Sequence, residues 1–249
     1  MKRPFQKLLW PAAAPALVLA SALILGLAAA GCDQTAPQES RHVMIFIDMS
    51  LSTLPDRENY KKYIERIVSE LEANDRLTVC KIIDLTIADF SPIYDLTFPS
   101  FSVWSDNRTQ YDKSMREITR HLVATVDSVL DSRFKVQKNE IVNSFLICDQ
   151  LKNGRPGKKS LVIISDMQES SSEFDFDKDQ LTPEYIDNAI ALLRSKNRIP
   201  KLEEVDVWMA GAYSKDTEKF FAVQEFWKRY VAATGANLRS YSHTLLDFE

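Results

Sequence analysis

Several residue types that usually announce chemistry are scarce in this chain. Its 249 residues hold three cysteines, three histidines and six glycines. Cys80 lies in an apolar run and Cys148 in a helix-forming stretch, so neither suggests a disulfide framework, and both read as buried free thiols. His42, His121 and His243 lie far apart and match no zinc-ligand spacing. There is no glycine-rich phosphate loop, no nucleophilic Ser elbow and no Cys/His pair, so no acid–base–nucleophile set assembles and a non-enzymatic role is expected. Positive charge is also in short supply. The formal net charge is −4, and removal of a basic leader makes the remainder more acidic, which argues against a nucleic-acid surface.

That leader is the clearest feature present. Lys2, Arg3 and Lys7 precede an apolar stretch from Leu8 to Ala30, which ends at Ala28-Ala29-Ala30-Gly31-Cys32. Basic, apolar and small-residue regions in this order make a secretory signal. Small residues let a peptidase bind the extended backbone closely, and the cysteine after them offers a thiol for acylation. The segment resembles a bacterial lipoprotein signal, which implies a lipid on Cys32; it departs from the usual pattern at Ala29, where Leu is commoner. The alternative is an uncleaved anchor, because the stretch approaches the ~20 residues that span a bilayer. Pro11 and Pro15 interrupt a helix there, and an anchor leaves Gly31-Cys32 without a role. Acyl chains hold by roughly 0.8 kcal/mol per buried methylene, so a multiply acylated Cys32 would anchor stably. Asp33 resembles the inner-membrane retention signal of enterobacterial lipoproteins. The expected location is therefore the bacterial cell envelope, on the periplasmic side of the inner membrane.

Residues 32–40 are polar, carry Pro37 and read as a flexible tether. Residues 41–249 are long enough for one α/β domain with a sizeable core. Within them Val43 to Ile47 is a continuous apolar run, the pattern of a strand buried on both faces, and Asp48 ends it. Asp56 to Ala73 has a helical period with Asp56 as N-cap. Further strands are expected at Arg76 to Ile83, Leu161 to Ile164, Val205 to Ala212 and Leu238 to Thr244, with Ile93 to Phe98 as an antiparallel or edge strand between Pro92 and Pro99. Helices are expected at Tyr111 to Phe134, Glu140 to Leu151, Pro183 to Ser195 and Asp216 to Thr234. Apolar strands alternating with helices predict an α/β fold: an open, doubly wound, mostly parallel sheet flanked by helices. The Phe220, Phe221, Phe226 and Trp227 cluster has core spacing, and the run from Met167 to Ser172 reads as a solvated polar loop.

In such sheets ligands bind beyond the carboxyl ends of the strands. There the sequence places Asp48-Met49-Ser50-Leu51-Ser52, with a second acid, Asp166, after another buried strand. Carboxylates and hydroxyls are the oxygen donors that a hard cation such as magnesium takes, alongside water. The same residues also suit a plain capping turn, since Asp and Ser are favoured at strand-to-helix junctions.

This arrangement resembles the metal-ion-dependent adhesion site (MIDAS) of the von Willebrand factor type A (VWA) family. The Asp-x-Ser-x-Ser loop of that family is carried by Asp48, Ser50 and Ser52, and its later acidic loop by Ser165-Asp166-Met167, with Met where Gly is usual. The intermediate Thr of the family falls at Asn139. The resemblance implies a three-layer sandwich and a Mg2+ or Mn2+ ion held by Asp48, Ser50, Ser52, Asn139 and Asp166. It also implies an envelope protein partner whose carboxylate completes the metal shell. Because the chain stops at Glu249, soon after its last expected strand, the helix-piston switch of adhesive family members is not expected. Two other functions stay open: a metal-free VWA-like scaffold for complex assembly, suggested by Asn139, and a metal-dependent phosphatase with Asp48 as nucleophile, against which Ser50 stands where a second Asp is wanted.

Overall fold

The computed structural model describes residues 39–83, 87, 90–102, 105–132, 138–154, 156–245 and 247–248. The leader, Cys32, Asp33 and most of the expected tether lie outside these residues. Phe134, expected at the end of a helix, lies outside them too.

The apolar runs form the centre of a six-stranded sheet. In chain order the elements are β1 (Arg41–Asp48), a 3-10 turn (Leu51–Asp56), α1 (Arg57–Ser69), β2 (Arg76–Ile82), β3 (Tyr94–Thr97), α2 (Arg108–Leu130), α3 (Ile141–Leu151), β4 (Lys158–Ile164), α4 (Pro183–Ser195), β5 (Val205–Ala210), α5 (Thr217–Thr234) and β6 (Asn237–Ser242). The sheet order is β3-β2-β1-β4-β5-β6, parallel throughout except for antiparallel β3 at one edge. This is the doubly wound arrangement that the alternating pattern predicts, and β3 is the edge strand expected between Pro92 and Pro99.

Side chains alternate across β1 and feed two cores. Met44 and Phe46 pack with α3, α4 and α5, among them Phe145, Ile186, Phe226 and Trp227. Val43, Ile45 and Ile47 pack on the other face with Tyr60 and Ile64 of α1 and Leu122 and Val126 of α2. Both faces of β1 are thereby sealed, which is why its sequence shows no polar alternation. Cys80 and Cys148 are buried free thiols, as expected. Among the described residues no helix is long and apolar enough to cross a membrane.

Three expectations need correction. Asp56 precedes α1 but makes no side-chain capping bond, because the 3-10 turn has already brought it to φ −98°, ψ −1°, outside the extended conformation a capping side chain needs. Within the aromatic cluster of α5, Phe226 and Trp227 are buried whereas Phe221 is 58% exposed, since it faces away from the sheet. The run after Asp166 is not a solvated loop. Met167, Glu169 and Ser171 are buried, for Phe174 and Phe176 fold back over them through the Ser171 N–H to Phe174 and Phe176 N–H to Glu169 backbone hydrogen bonds.

Candidate metal centre

The chain runs outward from β1 to β2 and β3, then returns to β1's other side with β4. The strand order therefore reverses between β1 and β4, whose last paired residues are Ile47 and Ile164. A crevice opens at such a point because the connections leave in opposite directions. Asp48 stands at one lip, and Ser165 and Asp166 at the other.

Asp48 is completely buried and organises the crevice. Its Oδ1 accepts the Ser50 N–H at 2.8 Å, bending the chain off the strand. Thr53, in the turn that follows, donates its hydroxyl to the carbonyls of Asp48 and Ser50 at 3.1 and 2.9 Å. This tight turn, rather than strand alternation, brings the Ser50 and Ser52 hydroxyls within 2.9 Å of each other. The Asp48 Oδ2 accepts from Asn139 Nδ2 and from Ser165 Oγ, each at 2.6 Å. Asn139 is carried there by the segment leading into α3, which an antiparallel bridge ties to Ser170.

Asp166 closes the set. Its Oδ1 accepts the Gln168 N–H at 3.0 Å, and the Ser52 hydroxyl hydrogen-bonds to it. Burial, reinforced by the charge of Asp48, pushes its carboxyl up to about 7. The next residue, Met167, has φ +67°, the left-handed conformation that glycine adopts without cost. Met167 holds it because its side chain is fully buried in the core and its carbonyl accepts the Trp227 indole N–H at 2.9 Å. Behind this loop, Gly211 has φ +88°, and a Cβ there would stand 3.0 Å from the Ser165 carbonyl and 2.9 Å from the Tyr60 ring. Only glycine admits that approach.

All five residues expected at a metal site, Asp48, Ser50, Ser52, Asn139 and Asp166, are thus brought to one crevice. Asn139 does a different job from the oxygen ligand that the resemblance implies, since it turns its amide nitrogen to Asp48. Two contributors escaped the sequence reading. Ser165 was passed over as a neighbour of the acid, although its hydroxyl also accepts the Met167 N–H at 2.9 Å. Thr53, buried beside the Asp-x-Ser-x-Ser run, carries no sequence signal beyond that neighbourhood.

The donor set is oxygen only: two carboxylates and the two hydroxyls of Ser50 and Ser52, which suits a hard divalent cation that keeps some water. Among the described residues no three His, Cys, Asp or Glu side chains converge, so such an ion would depend on Ser50 and Ser52 besides the two acids. Its charge would find a counterpart, because no described Lys or Arg forms an ion pair with Asp48 or Asp166. Arg57 is near enough to interact with Asp48, yet it donates to the carbonyls of Leu130, Ser132 and Met49. Two hollows meet at the crevice. A groove of about 850 Å³ is lined by Ser52, Asp166, Gln168, Tyr213 and Lys215 among others, and a smaller one of about 200 Å³ by Ser50, Leu51, Ser52 and Asn139.

Comparison with known protein families returns no match, and neither does comparison with curated proteins. Solved structures do match. The chain is similar in fold to von Willebrand factor type A proteins. A protein of that type from Catenulispora acidiphila is 12% identical with a TM-score of 0.44, the match covering 82% of this chain and 39% of that one. A mutant of the PilB minor pilin from Streptococcus sanguinis is 12% identical with a TM-score of 0.49, over 84% of this chain and 58% of the pilin. The pilus adhesin SpaC from Lactobacillus rhamnosus GG, in an open conformation, is 7% identical with a TM-score of 0.47, over 83% and 28%. The chain spans less than two thirds of each of these proteins. At such identities the likeness concerns the arrangement of helices and strands, and nothing about the crevice is taken from it.

Proposed function

We propose that this chain is a membrane-tethered VWA-like binding module, not an enzyme, that holds Mg2+ or Mn2+ at the β1–β4 crevice and docks an envelope protein through a carboxylate. The observation that carries the reading is the pair of buried acids, Asp48 and Asp166, beside the Ser50 and Ser52 hydroxyls, with no ion-pairing Lys or Arg among the described residues. Buried carboxylates without a directly paired cation are costly, and a divalent cation lowers that cost. Ser50, Ser52 and Asp166 would hold the ion and Asp48 would orient the serine turn beneath it. When bound, the ion supplies a positive charge with exchangeable positions that a carboxylate can fill. Calorimetric titration with Mg2+ or Mn2+ tests this: one saturable site is expected, lost in Asp48→Ala, and a wild-type chain with no binding heat would refute it.

The tether rests on the Lys2 to Cys32 leader, and we propose lipid on Cys32 and residence on the periplasmic side of the inner membrane, with Asp33 as the sorting residue. Cys32→Ala should move the protein out of the membrane fraction and abolish labelling by a radioactive fatty acid.

One observation favours a metal-free scaffold instead. Asp48 already accepts three hydrogen bonds, from Ser50, Asn139 and Ser165, so this acid is satisfied without an ion. That reading predicts a melting temperature indifferent to excess Mg2+, whereas an ion that binds only the folded state must raise it.

A further inference from the structure

Helix α3 starts without a cap of its own. The residue in the cap position, Glu140, has φ −107° and ψ 76° and makes no side-chain capping bond. The Asn143 N–H turns back to the Glu140 carbonyl at 3.1 Å, which leaves the Ile141 and Val142 N–H groups to be satisfied in a first turn that is buried throughout. Both are taken by a side chain from another part of the chain. The Glu169 carboxyl accepts the Val142 N–H at 3.2 Å through Oε2, across 27 positions of sequence, and the Ile141 N–H as well.

A Ser, Thr, Asp or Asn at position 140 would cap the helix locally. Glu169 does so at a cost: it is 1% exposed, its Oε1 has no partner among the described residues, and burial pushes the carboxyl up to about 8. The groups around it do not offset that burial. Arg198 favours the ionised form, but its guanidinium is committed to Glu173 at 2.7 Å and the Asn143 side chain at 2.6 Å. Glu140 opposes ionisation, and the Tyr230 hydroxyl donates to the Arg198 carbonyl. What the distant cap provides is a junction between two segments of the crevice. One carries Asn139, whose amide holds Asp48, and the other carries Asp166. Asn139 and Ser170 exchange backbone hydrogen bonds, both at 3.0 Å, and Glu169 grips the start of α3 two and three positions beyond Asn139. The Phe176 N–H bonds to the Glu169 carbonyl at 3.0 Å, and Phe174 and Phe176 close the junction from water.

We propose that Glu169 is a positioning residue of the β1–β4 crevice, a clamp that joins the segment carrying Asn139 to the loop carrying Asp166. It fixes the side of the crevice bonded to Asp48 against the side that holds the second acid. The clamp belongs to the crevice with or without an ion, and its effect on Mg2+ rests on the cation site proposed above. Opening the clamp exposes the carboxyl, which returns from about 8 to its ordinary 4.5, so each pH unit between these values favours opening.

The test is hydrogen exchange of the full chain in chelator, followed by mass spectrometry in peptides that cover residues 139–142 and 167–171, with β2 as the control. At pH 5, Glu169→Ala should speed exchange in both segments at least about tenfold and leave β2 unchanged, whereas Glu169→Gln, a neutral acceptor of the same size, should match the wild type. From pH 5 to pH 8 the wild-type protection of both segments should fall, by up to about tenfold per unit, and that of Glu169→Gln should stay level. In calorimetry at pH 8, Glu169→Ala should bind Mg2+ at least about tenfold more weakly than the wild type and Glu169→Gln should bind it equally well. Unchanged exchange in Glu169→Ala, loosening of one segment without the other, equal loosening of β2, or a wild-type pH profile as level as that of Glu169→Gln would overturn the inference. So would equal Mg2+ affinity in Glu169→Ala and a wild-type chain that binds the ion. If Glu169→Ala does not fold, the pH profiles of the other two proteins decide. A wild-type chain that binds no Mg2+ refutes the cation site alone, and the exchange in chelator still decides the clamp.

Discussion

Asp75 and Asp95 lie near the amino ends of β1 and β2, and Asp48 and Asp166 at the carboxyl ends of β1 and β4, so one sheet holds acids in opposite surroundings. Asp75, 2% exposed, accepts the Arg41 N–H at 2.7 Å, the Arg41 Nε at 3.0 Å and the Glu72 N–H at 3.0 Å. Asp95 takes two bonds from Arg76 at 2.8 and 2.7 Å and one from Thr78 at 3.0 Å, and Arg76 holds its carboxyl below the usual range. Asp166 has no such cation and is pushed the other way, to about 7, by burial and by Asp48. Acids of the first kind are parts of the fold. Those of the second kind burden it, and a fold keeps such a burden where function requires it.

The largest effect that separates the two ends should come from Asp75→Ala. Removing the carboxylate strands a part-buried Arg41 and should cost about 3–5 kcal/mol in urea unfolding, the same with Mg2+ or with chelator. Saturating Mg2+ should in turn stabilise the wild-type chain by about 2.7 kcal/mol at a hundred times its dissociation constant, and the same addition should leave Asp48→Ala unmoved.

Proton competition gives the next effect. An acid whose folded carboxyl is raised from 3.8 to about 7 favours the folded state most at low pH, and that contribution is lost as pH climbs through this window. Mg2+ needs the ionised form, so its affinity should fall about tenfold per pH unit below 7, a change of about 1.4 kcal/mol, in titrations at pH 6 and pH 8. The smallest effect belongs to Asp95→Asn. Asp95 is about a third exposed, so screening limits its loss to ~0.5 kcal/mol by chemical denaturation. Its sign with pH is opposite to that of Asp166: the depressed carboxyl stabilises at neutral pH, and the contribution disappears as pH falls below 3.8.

Much of the fold was legible because burial on both faces writes itself into a strand as an unbroken apolar run. Val43 to Ile47 and Leu161 to Ile164 announce the central pair, and only their polar ends, Arg41 and Lys158, were too ordinary to place. Asp48, Ser50, Ser52 and Asp166 were legible as a pattern at strand ends. Asn139 joined them only through the resemblance, and the bonds that Asn139 and Ser165 make to Asp48 were not legible, because these residues lie 91 and 117 positions from Asp48 and no local rule joins them. Glu169 shows the same limit from the other side. Its polar neighbours read as solvent-facing, yet Phe174 and Phe176 cover it, its carboxylate accepts the Val142 N–H at the start of α3, and burial pushes it up to about 8. Whether a polar run is buried depends on what folds over it.

The central claim, that the carboxyl-end acids are held without a directly paired Lys or Arg for a cation to use, is tested most directly by the melting temperature of Asp166→Asn beside that of the wild-type chain at pH 8. In chelator the variant should melt higher, since it removes a buried like charge worth about 2 kcal/mol. In saturating Mg2+ the order should reverse, because only the wild type gains the ion. A variant that melts lower in chelator, with neither protein responding to Mg2+, would contradict the account.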